Sequence, residues 1–354
     1  MAEVKNPEQA NRSRRLGRSS VELRALGLGC AGIAGLFQDV SEAQALATVD
    51  AAWMQGVRYF DTAPYYGYSK SEHRLGIALR QRPRDEFVLS TKVGRLMKPC
   101  AGGNSHGARD GWDNPLPFEP VYDYTRDGIL RSFEDSLQRL GVARIDVLLV
   151  HDIDIGTHGE RHGHYWRQLT DGGFGALDEL RSANVVGAVG LGVNDGGVIL
   201  DAMREFDLDC ALLAGRYTLL EQGALDAVLP ECLRRGVDII LGGVFNSGIL
   251  AQGVTANRDA SRAADLKFNY GSASLEVIER VSRIEAVCAK FGVSLRAAAL
   301  QFPYAHAAVA CLLTGARSPQ ELDQNVQAFA APIPTAFWQA MREQGLLRDD
   351  APTP

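Results

Sequence analysis

Long apolar runs are missing from this chain of 354 residues. No stretch of about eighteen consecutive apolar residues occurs, so neither a membrane-spanning helix nor a membrane partner is expected. An excess of positive charge is missing too: 37 Lys and Arg stand against 43 Asp and Glu, a net charge of −6. A nucleic-acid binder usually carries a basic face, so nucleic acid is not an expected partner. The basic cluster Arg12, Arg14, Arg15 and Arg18 reads as a solvated strand or hairpin. No apolar core follows the N-terminal charges, so no secretory signal is expected and the cytoplasm is the expected compartment. Cysteine is sparse: Cys30, Cys100, Cys210, Cys232, Cys288 and Cys311 are scattered, with no C-x-x-C or Cys/His spacing that suits zinc. They read as buried, reduced thiols, and no metal is expected.

Short apolar runs, by contrast, recur. They are Ala25–Ala31, Val57–Ala63, Phe87–Val93, Asp146–Asp152, Val185–Val193, Cys210–Gly215, Val237–Val244 and Val309–Ala316. Each is near-continuously apolar, as strands buried on both faces of a parallel sheet are. Between them lie amphipathic segments: one opening at Ser41 and stopping at Gly56, then Lys70–Arg80, Thr125–Leu140, Phe174–Ala183, Gly196–Glu205, Glu221–Arg235 and Pro319–Phe329. Strand and helix in alternation make βαβ units. Eight of them predict an α/β fold, a (β/α)8 TIM barrel with an N-terminal hairpin and long loops at its C-terminal mouth. A doubly wound sheet is the competitor. Against it, GLGCAGIAG at Gly27–Gly35 lacks the G-x-G-x-x-G spacing. The expected organisation is a flexible segment over 1–13, one barrel domain over 14–345 and a flexible tail over 346–354. Leu96–Asp123 and Asp152–Asp171 break the repeat. They follow the third and fourth strands, where a barrel builds its substrate site.

Three neighbouring strands end in unusual residues. The second ends in Asp61 with Tyr66 one short loop beyond, the third in Lys92, the fourth in His151. Charged groups at such a place need partners. Asp61 and Lys92 can neutralise one another, as a structural pair or a functional one. An ammonium directed at the phenol of Tyr66 would stabilise phenolate and lower its pKa, making a general acid/base that works near neutrality.

GVRYFDTAPYYG, SEHRLGIALR, FVLSTKVGR and DVLLVHD together resemble the aldo-keto reductase superfamily. The likeness extends from SRRLGRSSVELRALGLG to GARSPQELDQNV. It implies a barrel, a nicotinamide cofactor across the mouth, no metal, and a catalytic tetrad of Tyr66, Asp61, Lys92 and His151. It also implies cofactor contacts at Gly29, Cys30, Ala31, Asn194, Phe245, Asn246, Ser247, Gly248, Gly315, Arg317, Glu321, Gln324 and Asn325. Val193 stands where the family usually has Ser, and Gly242 and Gly243 stand near its nicotinamide-stacking Tyr. An acidic Glu321 disfavours a 2′-phosphate and Arg317 favours one, so NAD is expected as preferred cofactor with NADP possible.

GWDNPLPFEPVYDYTRDGI, HDIDIGTHG, ALLAGRYTLLEQ and GGVFNSGIL resemble the branch of the family that oxidises the anomeric hydroxyl of aldoses such as L-fucose, and a pyridoxal-oxidising relative. Both chemistries turn a cyclic hemiacetal into a lactone. The resemblance thus implies a small-molecule sugar substrate, with Trp112, Phe118, Asp152 and His158 as candidate contacts. A general NAD(P)H-dependent carbonyl reductase and a non-catalytic binding subunit are the alternatives. The oligomeric state is not legible.

Overall fold

The computed structural model describes residues 13–100, 107–255 and 266–354. Eight parallel strands close into a barrel in chain order: Leu26–Gly29, Tyr59–Asp61, Val88–Val93, Ile145–His151, Val186–Val193, Cys210–Ala214, Asp238–Gly242 and Val309–Gly315. The eighth pairs with the first, Leu312 opposite Leu26 and Gly315 opposite Gly29. Seven strands fall within their apolar runs and the fourth starts one residue before its run, because residues facing the lumen and residues facing the helices are both buried. The lumen holds Tyr59, Val147, Leu149, Cys210, Leu212, Ile240 and Leu313. Close packing there leaves some positions no room: a Cβ on Gly190 would fall 2.1 Å from the carbonyl oxygen of Cys210.

The arginine-rich N-terminal stretch is the expected hairpin. Arg14–Arg15 pairs antiparallel with Glu22–Leu23. Leu16, Val21 and Leu23 join the lumen cluster and plug its lower end. Arg14 is held by Asp238 at 2.5 Å and by the carbonyl of Ala307 at 2.8 Å. Arg12 and nearly all of the expected flexible segment 1–13 lie outside the described residues.

The helices Glu42–Met54, Lys70–Leu79, Arg126–Leu140, Phe174–Ser182, Gly196–Glu205 and Pro319–Ala330 match their amphipathic segments. Glu221–Arg235 is helical over Val228–Arg235, after a 3-10 turn at Gly223–Leu225. The crossover from seventh to eighth strand carries two helices that the apolar pattern did not single out, Leu275–Phe291 and Leu295–Tyr304. A further helix, Thr335–Glu343, buries Phe337, Trp338 and Met341, and Phe337 packs edge-on against Phe291.

The expected flexible tail is a correction. Leu346, Leu347 and Ala351 are buried. Gln222 donates to the carbonyl of Leu346 and accepts from the amide of Arg348, and Arg348 pairs with Asp226. Three buried apolar side chains, two backbone hydrogen bonds to Gln222 and the Arg348–Asp226 ion pair fasten the segment to the barrel. No helix among the described residues is long and apolar enough to cross a membrane.

Candidate active site

Parallel pairing sets the site. Gly29 lies opposite Asp61, Asp61 opposite Ser90, Lys92 opposite Leu149 and His151 opposite Gly192. Asp61, Lys92 and His151 therefore arrive at one mouth from adjacent strand ends. Asp61 is 2% exposed and Lys92 1% exposed. The ammonium of Lys92 donates to Asp61 at 2.8 and 3.0 Å and to the carbonyl of Thr62 at 2.8 Å. Ser90 Oγ also donates to Asp61, at 2.7 Å. The pair is buried and fully hydrogen-bonded, as a stable buried ion pair must be.

Tyr66 stands above it. Lys92 Nζ lies 4.6 Å from the centre of the Tyr66 ring, and the imidazole of His151 meets that ring edge-on at 5.8 Å. The tetrad is assembled, but its electrostatics correct the expectation. All three ammonium donors go to Asp61 and Thr62, so none points at the phenol. Burial, with the Asp61 carboxylate close by, pushes the Tyr66 phenol well above its ordinary value. Tyr66 is thus a protonated phenol at neutral pH. Burial, with the cations of Arg95 and Lys92 nearby, pulls His151 well below its ordinary range, and its imidazole is neutral.

The loop after the third strand forms a ribbon, Arg95–Pro99 paired with Phe118–Tyr122. It brings Trp112 and Phe118 into a cluster with Tyr65, Tyr66 and Tyr68. Trp112 lies 5.6 Å from Tyr66, and its indole Nε1 is buried without a partner among the described residues. Asp152 lies beside His151, ion-paired with Arg95. His158 does not join them. Its ring is enclosed by Tyr122, Tyr124 and Tyr165, its Nε2 lies 2.9 Å from the Tyr124 hydroxyl, and burial pushes its pKa down to about 4. Tyr124 in turn donates to the carbonyl of His151 at 2.8 Å, so His158 supports the backbone behind the site. No group of three or more His, Cys, Asp or Glu among the described residues could hold a metal.

The ends of the fifth, seventh and eighth strands suit a dinucleotide. Asn194 Oδ1 and Asn246 Oδ1 are buried without partners among the described residues, which costs free energy unless a ligand supplies donors. Ser247 and Gly248, at φ 62° and 102°, turn the loop that follows Phe245. Asn325 is held by Arg296 at 2.5 Å and donates to the carbonyl of Gly315. Glu321 accepts from the Arg317 amide at 2.9 Å and from its guanidinium at 3.0 Å, so the two opposed charges are tied to each other. Gln324 is exposed on the same helix. Gly29 and Ala31 are half-buried at the first strand's end. Cys30 between them faces the core, and its carbonyl is taken by Ser71. No aromatic ring stands at Gly242 or Gly243.

Pattern reasoning missed Arg95, Tyr65 and Tyr270. Arg95 was visible inside FVLSTKVGR, but a lone Arg beyond a strand end reads as a surface group. Tyr270 tips a short hairpin, Lys267–Phe268 with Gly271–Ser272, and donates its amide to Ser247 Oγ at 2.9 Å. Its ring reaches Phe37 at 6.4 Å.

Comparison with known proteins shows the family and the fold. The chain is 47% identical to pyridoxal 4-dehydrogenase from Microbacterium luteolum, over 96% of this chain and 99% of that protein. It is 39% identical to D-threo-aldose 1-dehydrogenase from a Pseudomonas species, over 95% and 97%. Among solved structures, the holo form of aldo-keto reductase AKR11C1 from Bacillus halodurans superposes with a TM-score of 0.71 at 23% identity, over 95% of this chain and 96% of that one. The description of the Aldo/keto reductase family matches residues 25–345, and the chain belongs to that family.

Proposed function

We propose that this chain oxidises the ring hydroxyl of a cyclic hemiacetal to a lactone, with NAD as the preferred cofactor. The observation that carries the reading is the edge-on meeting of Tyr66 and neutral His151 at the barrel mouth beside an aromatic wall. When bound, the nicotinamide supplies the acceptor for the hydride lost from the substrate carbon. The protein's residues do the rest. Asn194 and Asn246 offer the unpartnered oxygens that hold the cofactor. His151 and Tyr66 hydrogen-bond the reacting hydroxyl. Tyr66, once deprotonated, takes the hydroxyl proton as the carbon–oxygen bond becomes a carbonyl. Trp112 and Phe118 cover an apolar ring face, and the free indole N–H of Trp112 suits a substrate oxygen.

Loop resemblance favours a pyranose such as L-fucose as substrate. A second reading, pyridoxal in its cyclic hemiacetal form, is favoured by the 47% identical relative and by an aromatic wall suited to a flat pyridine ring. Product formation from L-fucose, D-arabinose, L-xylose, L-galactose, D-glucose and pyridoxal separates the two. Reduced cofactor and lactone are expected from one of these groups. Turnover confined to carbonyl reduction with NADPH would overturn the reading.

NAD preference rests on the Arg317–Glu321 pair. Glu321 holds the one cation of that pair away from a 2′-phosphate and adds its own negative charge. Glu321→Gln is expected to lower the NAD-over-NADP ratio of kcat/KM by about three- to tenfold, the scale of a partly exposed charge pair. An unchanged ratio would remove Glu321 from cofactor selection.

A further inference from the structure

Beside His151 lies a buried charge pair that the hydride-transfer scheme does not use. Arg95 is 4% exposed and its guanidinium is sandwiched between aromatic faces, 4.1 Å from the Tyr65 ring centre and 5.0 Å from that of Tyr122. It forms an ion pair with Asp152, whose side chain is 15% exposed. Asp152 adopts φ 44°, a left-handed conformation that a non-glycine residue seldom takes without local support. The Tyr124 hydroxyl supplies that support, lying 2.8 Å from the carbonyl of His151 and 3.3 Å from that of Asp152. This conformation turns the carboxylate back toward its neighbours. Asp152 Oδ2 lies 3.5 Å from His151 Nε2, and Oδ1 lies 3.5 Å from the amide nitrogen of Asn194. Meanwhile His151 Nδ1 and Asn194 Oδ1 are buried without partners among the described residues.

We propose that Arg95 is a positioning residue, which acts through Asp152 to fix the charge and tautomer of His151 and the orientation of Asn194. A carboxylate beside Nε2 places the imidazole proton on that nitrogen. The same carboxylate, left alone in a buried site, would draw a second proton onto the ring. Arg95 satisfies the carboxylate, so the imidazole keeps one proton and stays neutral. Asp152 is thereby committed to three protein groups, Arg95, His151 and Asn194, rather than to substrate hydroxyls. The groups facing His151 are consistent with this. Lys92 and Arg95 approach from the third strand and the residue pair beyond it, Asp152 lies beside it, and Tyr65 and Tyr66 come from the loop after the second strand. Tyr124 lies behind. Asp154 acts on this group through Asp152, and Tyr270 lies near the same carboxylate.

The test reads His151 directly, by nitrogen and carbon NMR of histidine-labelled protein without cofactor, with the signal assigned from its loss in His151→Gln. This arm does not depend on the proposed reaction, so its failure and the failure of that reading are separable. In the parent protein His151 is expected to be neutral, with one tautomer, across the neutral range. In Arg95→Met the coupled His151–Asp152 pair is expected to take up a proton nearer neutrality, moving the His151 titration up by about one pH unit or more. Arg95→Lys, which keeps the charge, is expected to restore the parent titration in large part. Asp152→Asn is expected to abolish the single tautomer without charging the ring. A folded Arg95→Met with the parent titration and tautomer would overturn the proposal. If that variant does not fold, Asp152→Asn decides, and an unchanged His151 tautomer there overturns it equally. In activity assays, Arg95→Met should lower kcat more than it raises KM for NAD, with a new loss of rate on the acidic side that Arg95→Lys reverses.

Discussion

Tyr66→Phe is expected to lower the rate of hemiacetal oxidation by ~10²–10⁴-fold, the usual contribution of a positioned proton-transfer group. Cofactor affinity should stay near its starting value, because Asn194, Asn246 and Asn325 at the other strand ends are untouched. The variant removes one hydroxyl and leaves the ring packed against Trp112 and His151, so stability should change little. The pH profile makes the test sharper. Burial and the Asp61 carboxylate hold the phenol well above its ordinary value, so only a small fraction is phenolate at neutral pH. Oxidation needs that fraction as base. Its population grows about tenfold per pH unit below the pKa, so kcat/KM should climb with pH. In the reverse direction the protonated phenol is the donor, and reduction should not need alkaline conditions. Tyr66→Phe should lose the alkaline rise along with the rate. Residual activity that still climbs with pH in the same way would assign the base to another group.

The barrel was readable because its strands are buried on both faces, so each appears as a near-continuous apolar run that solvent-facing alternation does not blur. The tetrad was readable for a related reason. A parallel closed sheet turns the C-terminal ends of adjacent strands into neighbours, so Asp61, Lys92 and His151 could be placed together before any coordinates were known. The helix Leu275–Phe291 was harder to see. Its fully buried positions are only Val281, Ile284, Val287 and Cys288, a narrow stripe on a largely solvated segment. The docked tail rests on Leu346, Leu347 and Ala351, too few to set a period.

What a linear reading misses most is pairing across distance. Arg95 and Asp152 are 57 positions apart, and only the closed barrel makes them partners. Cys30 sits in a glycine-rich turn that resembles a cofactor contact, yet its side chain faces the core. The direction of the Tyr66 shift is a three-dimensional property as well. Residue types alone placed a cation beside the phenol. The hydrogen bonds show that cation saturated by Asp61 and Thr62, and burial then outweighs it.

That saturation leads to the second large effect. Lys92→Met leaves the Asp61 carboxylate enclosed, with Ser90 Oγ as its remaining side-chain donor. Breaking a buried pair by removing one partner typically costs ~3–5 kcal/mol, because an uncompensated charge stays inside. The single variant should therefore unfold at a markedly lower denaturant midpoint and have little activity. Adding Asp61→Asn to Lys92→Met removes the stranded charge. The double variant should regain much of the lost stability, since two neutral groups of similar size replace an ion pair that had already offset its own desolvation. Activity should not return with it. Lys92 lies 4.6 Å from the Tyr66 ring centre and is the positive charge that any phenolate formed there would face. Chemical denaturation and oxidation rates measured on the three proteins separate the two roles. Recovery of both stability and turnover in the double variant would make the pair a structural element alone. Recovery of stability without turnover would show that the barrel tolerates the loss of these charges and that the phenol does not.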